Sequence, residues 1–465
     1  MAVGQTSILQ GAGFLALVLY GYFLVSRVLD LTVPSLRIPL GLFAVLSITA
    51  LLTGLARVAR SRVNVIFLLY MGWMALGVVF SHWRGGSAEL WQNSVKVFVF
   101  FLSIQALTTD YGKLRWMIRA LAMGIFTAAV LGIGSEDDAS GRLKLSVGTL
   151  SDPNEFAMYM VLGLCFWLCI LKTSSSRFLA MVIGLPAVLL ILGAFLKTGS
   201  RGGMVALVVV LTVWMMQISA RGKMFLALAA ILAIAIAPFA MTDYQKSRFL
   251  TVSSVDAEGA YDMETAQLLG GSVASTESRR ALLVESLTRT IQNPLFGVGP
   301  GMFPLYSDYA AKQAGYKRGH WQPTHNLFTQ ISSECGIPAL LLYLAGLFLT
   351  VSELRSLRSA PQMFPGAQVL RETAGYLLMA LYGVLAAGMF LSIAYGTIVY
   401  VVLALSWSLI RIYREAAERS AMTRPVAAPV AAAPMGRRPA LGLARQPATV
   451  RPGLYPTAAP RSGRG

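Results

Sequence analysis

The sequence predicts an all-α, polytopic integral membrane protein, and two observations carry that prediction. The chain has 465 residues, of which 56% are hydrophobic and only 13% are charged, and its mean hydropathy is +0.63. A soluble domain does not have this composition. Apolar stretches of about 17–25 residues, long enough to cross roughly 30 Å of hydrocarbon as a helix, recur along the whole chain.

Twelve of these stretches predict transmembrane helices. They lie near residues 8–26, 36–56, 63–81, 90–108, 116–134, 155–172, 177–196, 202–219, 223–242, 327–350, 372–393 and 396–412. We expect the first to stay in the mature protein, because no Lys or Arg precedes it and no small-residue cleavage pattern follows it. The chain then divides into nine helices in 1–242, a large loop in 243–324, three helices in 325–413 and a tail in 414–465.

The Lys and Arg residues predict which side of the membrane each loop faces. Because positively charged short loops stay in the cytoplasm, one set of alternate loops is predicted to be cytoplasmic. Its charged residues are Arg57, Arg60, Arg62, Lys113, Arg115, Arg119, Lys172, Arg177, Arg221, Lys223, Arg355, Arg358 and Arg371. The tail falls on the same side and is predicted to be disordered, since it is rich in Ala, Pro, Gly and Arg. We expect it to be solvated rather than bound to anionic membrane lipids, and the dispersed charge of +18 does not indicate nucleic-acid binding.

The large loop from Asp243 to Thr324 faces outward, and a connection of that length without structure is improbable unless it is functional. Within it, the segment ESRRALLVESLTRTIQNP has Leu283, Leu287 and Ile291 at helical spacing. It predicts a short helix on the membrane surface that stops before Pro294. The glycines of the following LFGVGPGMFP allow the backbone to turn tightly or to approach a ligand.

Arginines near the outward ends of the helices are candidate anion-binding residues. Arg201 lies with Lys197 at the outer junction of the seventh and eighth helices, and Gly202-Gly203 is expected to clear space around its planar guanidinium. Arg279 or Arg280 on the loop helix would complete a phosphate clamp. The spacing does not choose between them, and Arg280 is slightly preferred.

Histidine is rare in this chain, which has His82, His320 and His325 only. His325 lies beside Asn326 where the tenth helix begins, with Thr324 as a candidate cap. A histidine at an aqueous membrane boundary can accept a proton near neutral pH, although such a histidine taken alone is more often structural. We expect no metal site, because the two later histidines lie on different helical faces and no third ligand is evident.

Two acidic segments on the outward side are expected to be structural. Asp152 precedes Pro153 and Asn154, which is typical of a helix N-cap. The dense acidic cluster Glu136–Asp138 is expected to be a solvated loop rather than a divalent-metal site. If the substrate carries a charged leaving group, we therefore expect arginine rather than a metal ion to neutralise its charge.

Four segments together resemble the O-antigen ligase and O-antigen polymerase superfamily. They are SDPNEFAMYM, LKTGSRGGMVAL, ESRRALLVESLTRTIQNPLFGVGPGMF and THNLFTQISSECGIPALL, in that order between Ser151 and Leu341. The ligase branch has a His-Asn pair, nine residues and a Gly-x-x-Gly-like motif. This chain has His325-Asn326, residues 327–335 and Gly336-Ile-Pro-Ala339. Ala339 departs from the usual Gly, Thr or Tyr, which weakens the choice of ligase over polymerase.

The resemblance implies roles for these residues. His325 would activate an acceptor hydroxyl, and Arg201 with Arg279 or Arg280 would bind pyrophosphate. Glu334 would either orient His325 or face polar groups, and both alternatives stay open. Supporting roles fall to Asn326, Lys197 and Asn154.

The implied reaction is a glycosyl transfer with inversion, without metal or cofactor, at the periplasmic face of the bacterial inner membrane. The donor would be an undecaprenyl-pyrophosphate-linked glycan. The acceptor would be lipid A–core in a ligase, or a second lipid-linked repeat in an O-antigen or exopolysaccharide polymerase. A membrane transporter is the alternative from another class, but it predicts internal repeats and charges at mid-membrane depth, whereas the charges here concentrate at helix ends.

Overall fold

The computed structural model describes residues 2–135, 141–224, 228, 263–313, 315 and 321–423, and all of their regular structure is helical. Met1–Ser420 form one compact unit. Four predictions fall wholly or largely outside the described residues: most of the ninth helix at 223–242, the acidic cluster Glu136–Asp138, His320 and the tail beyond 423.

Fifteen α-helices are described, with short 3-10 helices at Pro34–Leu36 and Gly148–Ser151. In chain order they are α1 (Ala2–Ser26), α2 (Val28–Thr32), α3 (Ile38–Thr53), α4 (Leu55–Ala59), α5 (Arg62–Val79), α6 (Arg84–Leu107), α7 (Tyr111–Ile133), α8 (Pro153–Thr173), α9 (Arg177–Lys197), α10 (Arg201–Met215), α11 (Met263–Gln292), α12 (Phe303–Gln313), α13 (Leu327–Ser359), α14 (Ala367–Gly388) and α15 (Thr397–Thr423).

Ten described helices are long and apolar enough to cross a membrane, and α10 is a shorter apolar helix. These eleven correspond to eleven of the twelve predicted helices, and the remaining one lies largely outside the described residues. The structure therefore confirms the all-α polytopic class. The total of twelve stays a prediction.

The helices differ strongly in how far they are enclosed by protein. In the most apolar window of α15, 83% of the residues are buried, and in that of α8 72% are, against 17% for the window in Pro34–Thr53. The α8 helix packs against α7, α9, α10 and α14, whereas α13 packs against α5, α11 and α14. Helices α8, α10, α13 and α14 thus form a connected group, and α8, α10 and α13 carry the candidate site at their N-terminal ends.

Side-chain caps fix where the site-bearing helices begin. The Asp152 carboxylate accepts a hydrogen bond from the Asn154 backbone N–H at 2.6 Å, and Pro153 occupies the first turn of α8, as predicted. The expected cap of α13 was wrong. Asn326, not Thr324, caps it, accepting from the Phe328 N–H at 2.9 Å, because Asn326 directly precedes the first turn.

The segment between α14 and α15 is irregular, although the prediction extended the eleventh helix to residue 393. The α14 helix ends at Gly388, and residues 389–396 run without regular structure to α15. Polar contacts with α13 hold them there: the Ala394 N–H donates to the Gln330 side-chain oxygen at 3.1 Å, and the Asn326 amide donates to the Met389 carbonyl at 3.2 Å. Hydropathy alone does not reveal such contacts.

The last helix continues to Thr423, beyond the predicted boundary at 413. Charged side chains in its later turns form ion pairs. Arg411 pairs with Glu415 one turn further along the helix at 3.2 Å, and Arg414 pairs with Glu353 of α13 at 2.6 Å. The first residues of the predicted disordered tail are therefore helical.

The predicted loop helix is present as α11, and it begins earlier than the predicted segment, at Met263. Its apolar residues Leu283, Leu287 and Ile291 are all exposed. Its buried face includes Thr290, whose hydroxyl is 2.8 Å from the Ser332 hydroxyl of α13. An apolar face turned away from the protein suits a helix on the membrane surface, a position that stays a prediction.

A break in α13 at Gly336 receives the glycine-rich segment that follows α11. Gly336 has φ 86° and ψ 173°, which interrupts the helix. The Ile337 N–H donates to the Pro294 carbonyl at 2.7 Å, and the Val298 N–H donates to the Ser333 carbonyl at 2.8 Å. A Cβ on Gly336 would collide with the Leu295 carbonyl oxygen. Glycine at these positions therefore allows the backbone of the segment after α11 to contact the backbone of α13.

Candidate active site

The candidate site lies where α8, α10 and α13 begin, beside α11. Asp152, Ser200 and Asn326 cap the three helices through their side chains. The N-terminal end of a helix presents backbone N–H groups and a partial positive charge, which favour anions. Three such ends in one group of packed helices suit an anionic substrate.

A buried arginine links the first residues of α8 and α10. Arg142, only 8% exposed, donates from Nε to the Thr198 carbonyl at 2.8 Å and from Nη2 to the Asn154 side-chain oxygen at 3.0 Å. The same oxygen accepts from the Ser200 hydroxyl at 2.9 Å. Asn154 thus supports the turn that leads into Arg201.

Arg201 is the first residue of α10 and is half-buried. The two glycines after it are required by helix packing. A Cβ on Gly202 would lie 2.9 Å from Cβ of Phe390, and a Cβ on Gly203 would lie 2.8 Å from Cβ of Ala157. The glycines therefore allow α10 to approach α8 and the 389–396 segment closely.

Lys197 ends α9 with its side chain exposed. Its carbonyl oxygen accepts a hydrogen bond from the Leu143 N–H at 3.1 Å. The backbone of Lys197 is thus attached to the same segment that carries Arg142.

His325 is held in an unusual backbone conformation just before α13. Its φ of 49° lies in the left-handed region, which costs a non-glycine residue roughly 1–3 kcal/mol. The surrounding structure holds it there: the His325 N–H donates to the Ser392 hydroxyl at 2.8 Å, and the Thr324 hydroxyl donates to the Asn326 carbonyl at 3.0 Å. The 389–396 segment thus fixes the position of the imidazole-bearing residue.

The surroundings favour the neutral form of this imidazole. Burial lowers the pKa of His325 below its ordinary value, the positive charge of Arg279 lowers it further, and the negative charge of Asp152 acts in the opposite direction. A neutral imidazole near pH 7 can accept a proton. The charges of Arg279 and Asp152 therefore both act on His325, although the three residues come from separate parts of the chain.

The structure distinguishes the two neighbouring arginines of α11. Arg279 is half-buried and acts on His325, whereas Arg280 is exposed beside Glu277 and Val284. The hydroxyl of Ser278 donates to the side-chain oxygen of Gln322 at 3.2 Å, which ties this part of α11 to the segment that leads to His325. The sequence slightly favoured Arg280 as the anion-binding residue. In the structure it is the charge of Arg279 that acts on His325.

Glu334 is 2% exposed and lies at the α13 break. One of its carboxyl oxygens accepts from the Tyr395 hydroxyl at 2.7 Å and from the Gly301 N–H at 3.0 Å. Among the described residues, no hydrogen bond or ion pair joins Glu334 to His325. The observed contacts match the alternative in which Glu334 serves polar groups at the break.

Several residues of this arrangement were not selected from the sequence. Arg142 was visible only as one charge near a helix end, and Ser392 and Tyr395 fell within or beside predicted transmembrane helices. The polar and glycine residues of SIAYG were the available signal for an interruption there. His82 is exposed and packs on Tyr309 at a ring distance of 4.5 Å, apart from these contacts.

The family comparison covers this same region of the chain. Residues 186–344 match the family model described as O-antigen ligase. The matched segment begins in α9, includes Arg201, Arg279 and His325, and ends in α13 beyond the break. The chain matches no curated protein at a significant level. The match to residues 186–344 supports the assignment of this chain to the superfamily of O-antigen ligases and O-antigen polymerases.

Proposed function

We propose that the protein transfers a glycan from undecaprenyl pyrophosphate to an acceptor hydroxyl at the periplasmic face of the bacterial inner membrane, with lipid A–core as acceptor. One observation carries the proposal: the strained His325 and the half-buried Arg279, whose charge lowers the pKa of His325, both belong to the segment that matches the O-antigen ligase family. Such a reaction needs a base and a binder of negative charge close together.

The proposed step assigns one task to each group. The acceptor oxygen attacks the anomeric carbon of the donor glycan as the bond from that carbon to the pyrophosphate oxygen breaks. The hydroxyl proton passes to an imidazole nitrogen of His325, and undecaprenyl pyrophosphate leaves with the bonding electron pair. Attack opposite the leaving group inverts the anomeric configuration.

Arginine supplies the stabilisation of the leaving group in this proposal. Arg201 and Arg279 bind the pyrophosphate, because guanidinium groups match phosphate geometry and stay charged. The transfer then requires no metal ion or cofactor. Asn154 and Asn326 act indirectly by holding helix starts, and the exposed Lys197 adds positive charge beside Arg201.

A polymerase is the second candidate, and Ala339 favours it. This residue is fully buried in α13, where the ligase pattern has Gly, Thr or Tyr. A second lipid-linked repeat would then replace lipid A–core as the acceptor, with the same base and the same arginines.

The test uses the purified full-length protein in nanodiscs with a synthetic undecaprenyl-pyrophosphate-linked glycan. Lipid A–core is supplied as acceptor, and products are identified by mass. Glycan joined to lipid A–core supports ligation, whereas an extended lipid-linked glycan supports polymerisation. If neither product forms while the protein is folded, the proposal is wrong.

Variants test the assigned residues in the same assay. We expect His325→Ala to lower turnover by about 100-fold or more, the usual contribution of a general base. Arg201→Ala is expected to raise the donor KM, and Arg177→Ala, an exposed arginine where α9 begins, serves as the control. Full turnover by His325→Ala would exclude it as the base, and reversible loss of activity with a chelator would exclude a metal-free transfer.

A further inference from the structure

A cavity of about 710 Å³ lies at the end of the helix group opposite the candidate active site. The C-terminal ends of α8 and α13, the segment around the end of α10 and the first turns of α14 form it. Three of these helices begin at the candidate active site, so the cavity is a helix length away from it. Its volume lies within the range of about 300–1,000 Å³ that is typical of small-molecule sites.

The lining carries an excess of positive charge. Lys172, Arg358 and Arg371 contribute cations, and Glu372 is the one carboxylate among the lining residues that the structure describes. The Glu372 carboxylate is already engaged, since Lys172 lies 3.7 Å from it and the Gln368 amide donates to it at 3.2 Å.

Unlike Lys172, the two arginines of the cavity are not paired with Glu372. In the part of the chain that the structure describes, neither Arg358 nor Arg371 forms an ion pair with a carboxylate. The Arg371 Nε donates to the Arg358 carbonyl at 3.0 Å, which fixes the guanidinium at the cavity. Two arginines whose charge no described carboxylate balances attract an anion with several acceptor oxygens.

Apolar and neutral polar side chains complete the lining. Leu168, Leu171 and Ile218 are half-buried and provide an apolar wall beside the cations. Gln217 also lines the cavity, and its amide donates to the Gly375 carbonyl at 3.2 Å. Apolar surface next to paired arginines suits a molecule that has both a phosphate and hydrocarbon chains.

We propose that this cavity binds the headgroup of an anionic phospholipid, with the phosphodiester at Arg358 and Arg371 and the acyl chains along the apolar wall. Basic pockets between transmembrane helices recognise acidic lipid headgroups by this combination of charge and shape. The site is separate from the proposed glycan-transfer site and does not depend on that assignment.

Native mass spectrometry of the full-length protein tests the proposal with phosphatidylglycerol and phosphatidylcholine as probes. We expect the wild type to bind one phosphatidylglycerol at least about tenfold more tightly than phosphatidylcholine. The double variant Arg358→Gln/Arg371→Gln is expected to lose that preference, whereas the control Arg60→Gln/Arg177→Gln, which changes two exposed arginines, keeps it.

Three results would overturn the proposal. The first is an equal preference in the wild type and the cavity variant. The second is displacement of phosphatidylglycerol by inorganic phosphate at the same concentration, which would indicate a site for a free anion. The third uses the wild type alone, so it can be obtained even if the variant fails to fold. It is a preference for phosphatidylglycerol that does not weaken as the salt concentration is raised, which would show that the preference is not electrostatic.

Discussion

Replacing Glu334 separates a structural role from a catalytic one. In the Glu334→Ala variant, the Tyr395 hydroxyl and the Gly301 N–H would both lose their acceptor in a site where the carboxyl is 2% exposed. An unsatisfied buried donor costs about 1–3 kcal/mol, so two cost about 2–6 kcal/mol. Removal of the side chain also leaves a small cavity, which adds to the loss.

We expect Glu334→Ala to lower the apparent melting temperature of the detergent-purified protein clearly, followed by intrinsic tryptophan fluorescence. Glu334→Gln keeps a side-chain oxygen as acceptor and is expected to cost only about 1 kcal/mol. Its turnover of the lipid-linked donor should stay within about threefold of the wild type, since that range corresponds to less than one lost hydrogen bond.

Tyr395→Phe is the matched control, because it removes one of the two donors and leaves the carboxyl in place. Its effect on stability should be smaller than that of Glu334→Ala, and the double variant should cost less than the sum of the single changes. The reasoning fails if Glu334→Ala melts with the wild type. It also fails if Glu334→Gln is stable but inactive, which would show that the carboxyl acts on the chemistry.

Three further predictions concern the site and the α13 break. Arg142→Lys keeps the charge but loses the paired hydrogen bonds, so we expect the donor KM to rise about tenfold with kcat little changed, and an unchanged KM would count against a positioning role. Arg279→Gln removes a charge that lowers the pKa of His325, so the acid limb of the kcat/KM profile should move to higher pH, whereas Arg280→Gln should leave that limb in place; equal shifts would contradict the assignment. Gly336→Ala forces a glycine-only conformation on alanine and should reduce the yield of folded protein in size-exclusion chromatography, because the strain alone costs roughly 1–3 kcal/mol.

The sequence was sufficient for most of the described helices, because helices depend on local patterns, and it also pointed to residues that the structure brings together in the candidate site. Apolar length predicted eleven of the described helices, and Asp-Pro-Asn predicted the cap at Asp152. The motif around His325 pointed to a residue that the structure holds in a strained conformation beside α8 and α11. Strain and a lowered pKa at one histidine are typical of a functional site.

The parts that could not be predicted depend on contacts between distant segments. Hydropathy does not distinguish an apolar helix from the irregular 389–396 segment, whose conformation depends on Gln330 and Asn326 of another element. Helical spacing could not choose between Arg279 and Arg280, because the face that α11 turns inward carries Leu282, Ser286 and Thr290, whereas Leu283 and Leu287 are exposed. In a membrane, apolar residues need not face the protein core, so the usual rule for orienting a helix fails.

The break in α13 has a mechanical consequence. The N–H groups of Val298 and Gly299 donate to the carbonyls of Ser333 and Glu334, and the Ile337 N–H donates to the Pro294 carbonyl. These backbone hydrogen bonds fasten the segment that follows α11 to α13 at its break. A displacement of the loop helix would therefore pull on the helix that begins beside His325. Arg279 of α11 and His325 at the start of α13 thus lie on two elements that backbone hydrogen bonds join. Under the proposed function, this connection would reduce the rearrangement of charged groups during the reaction.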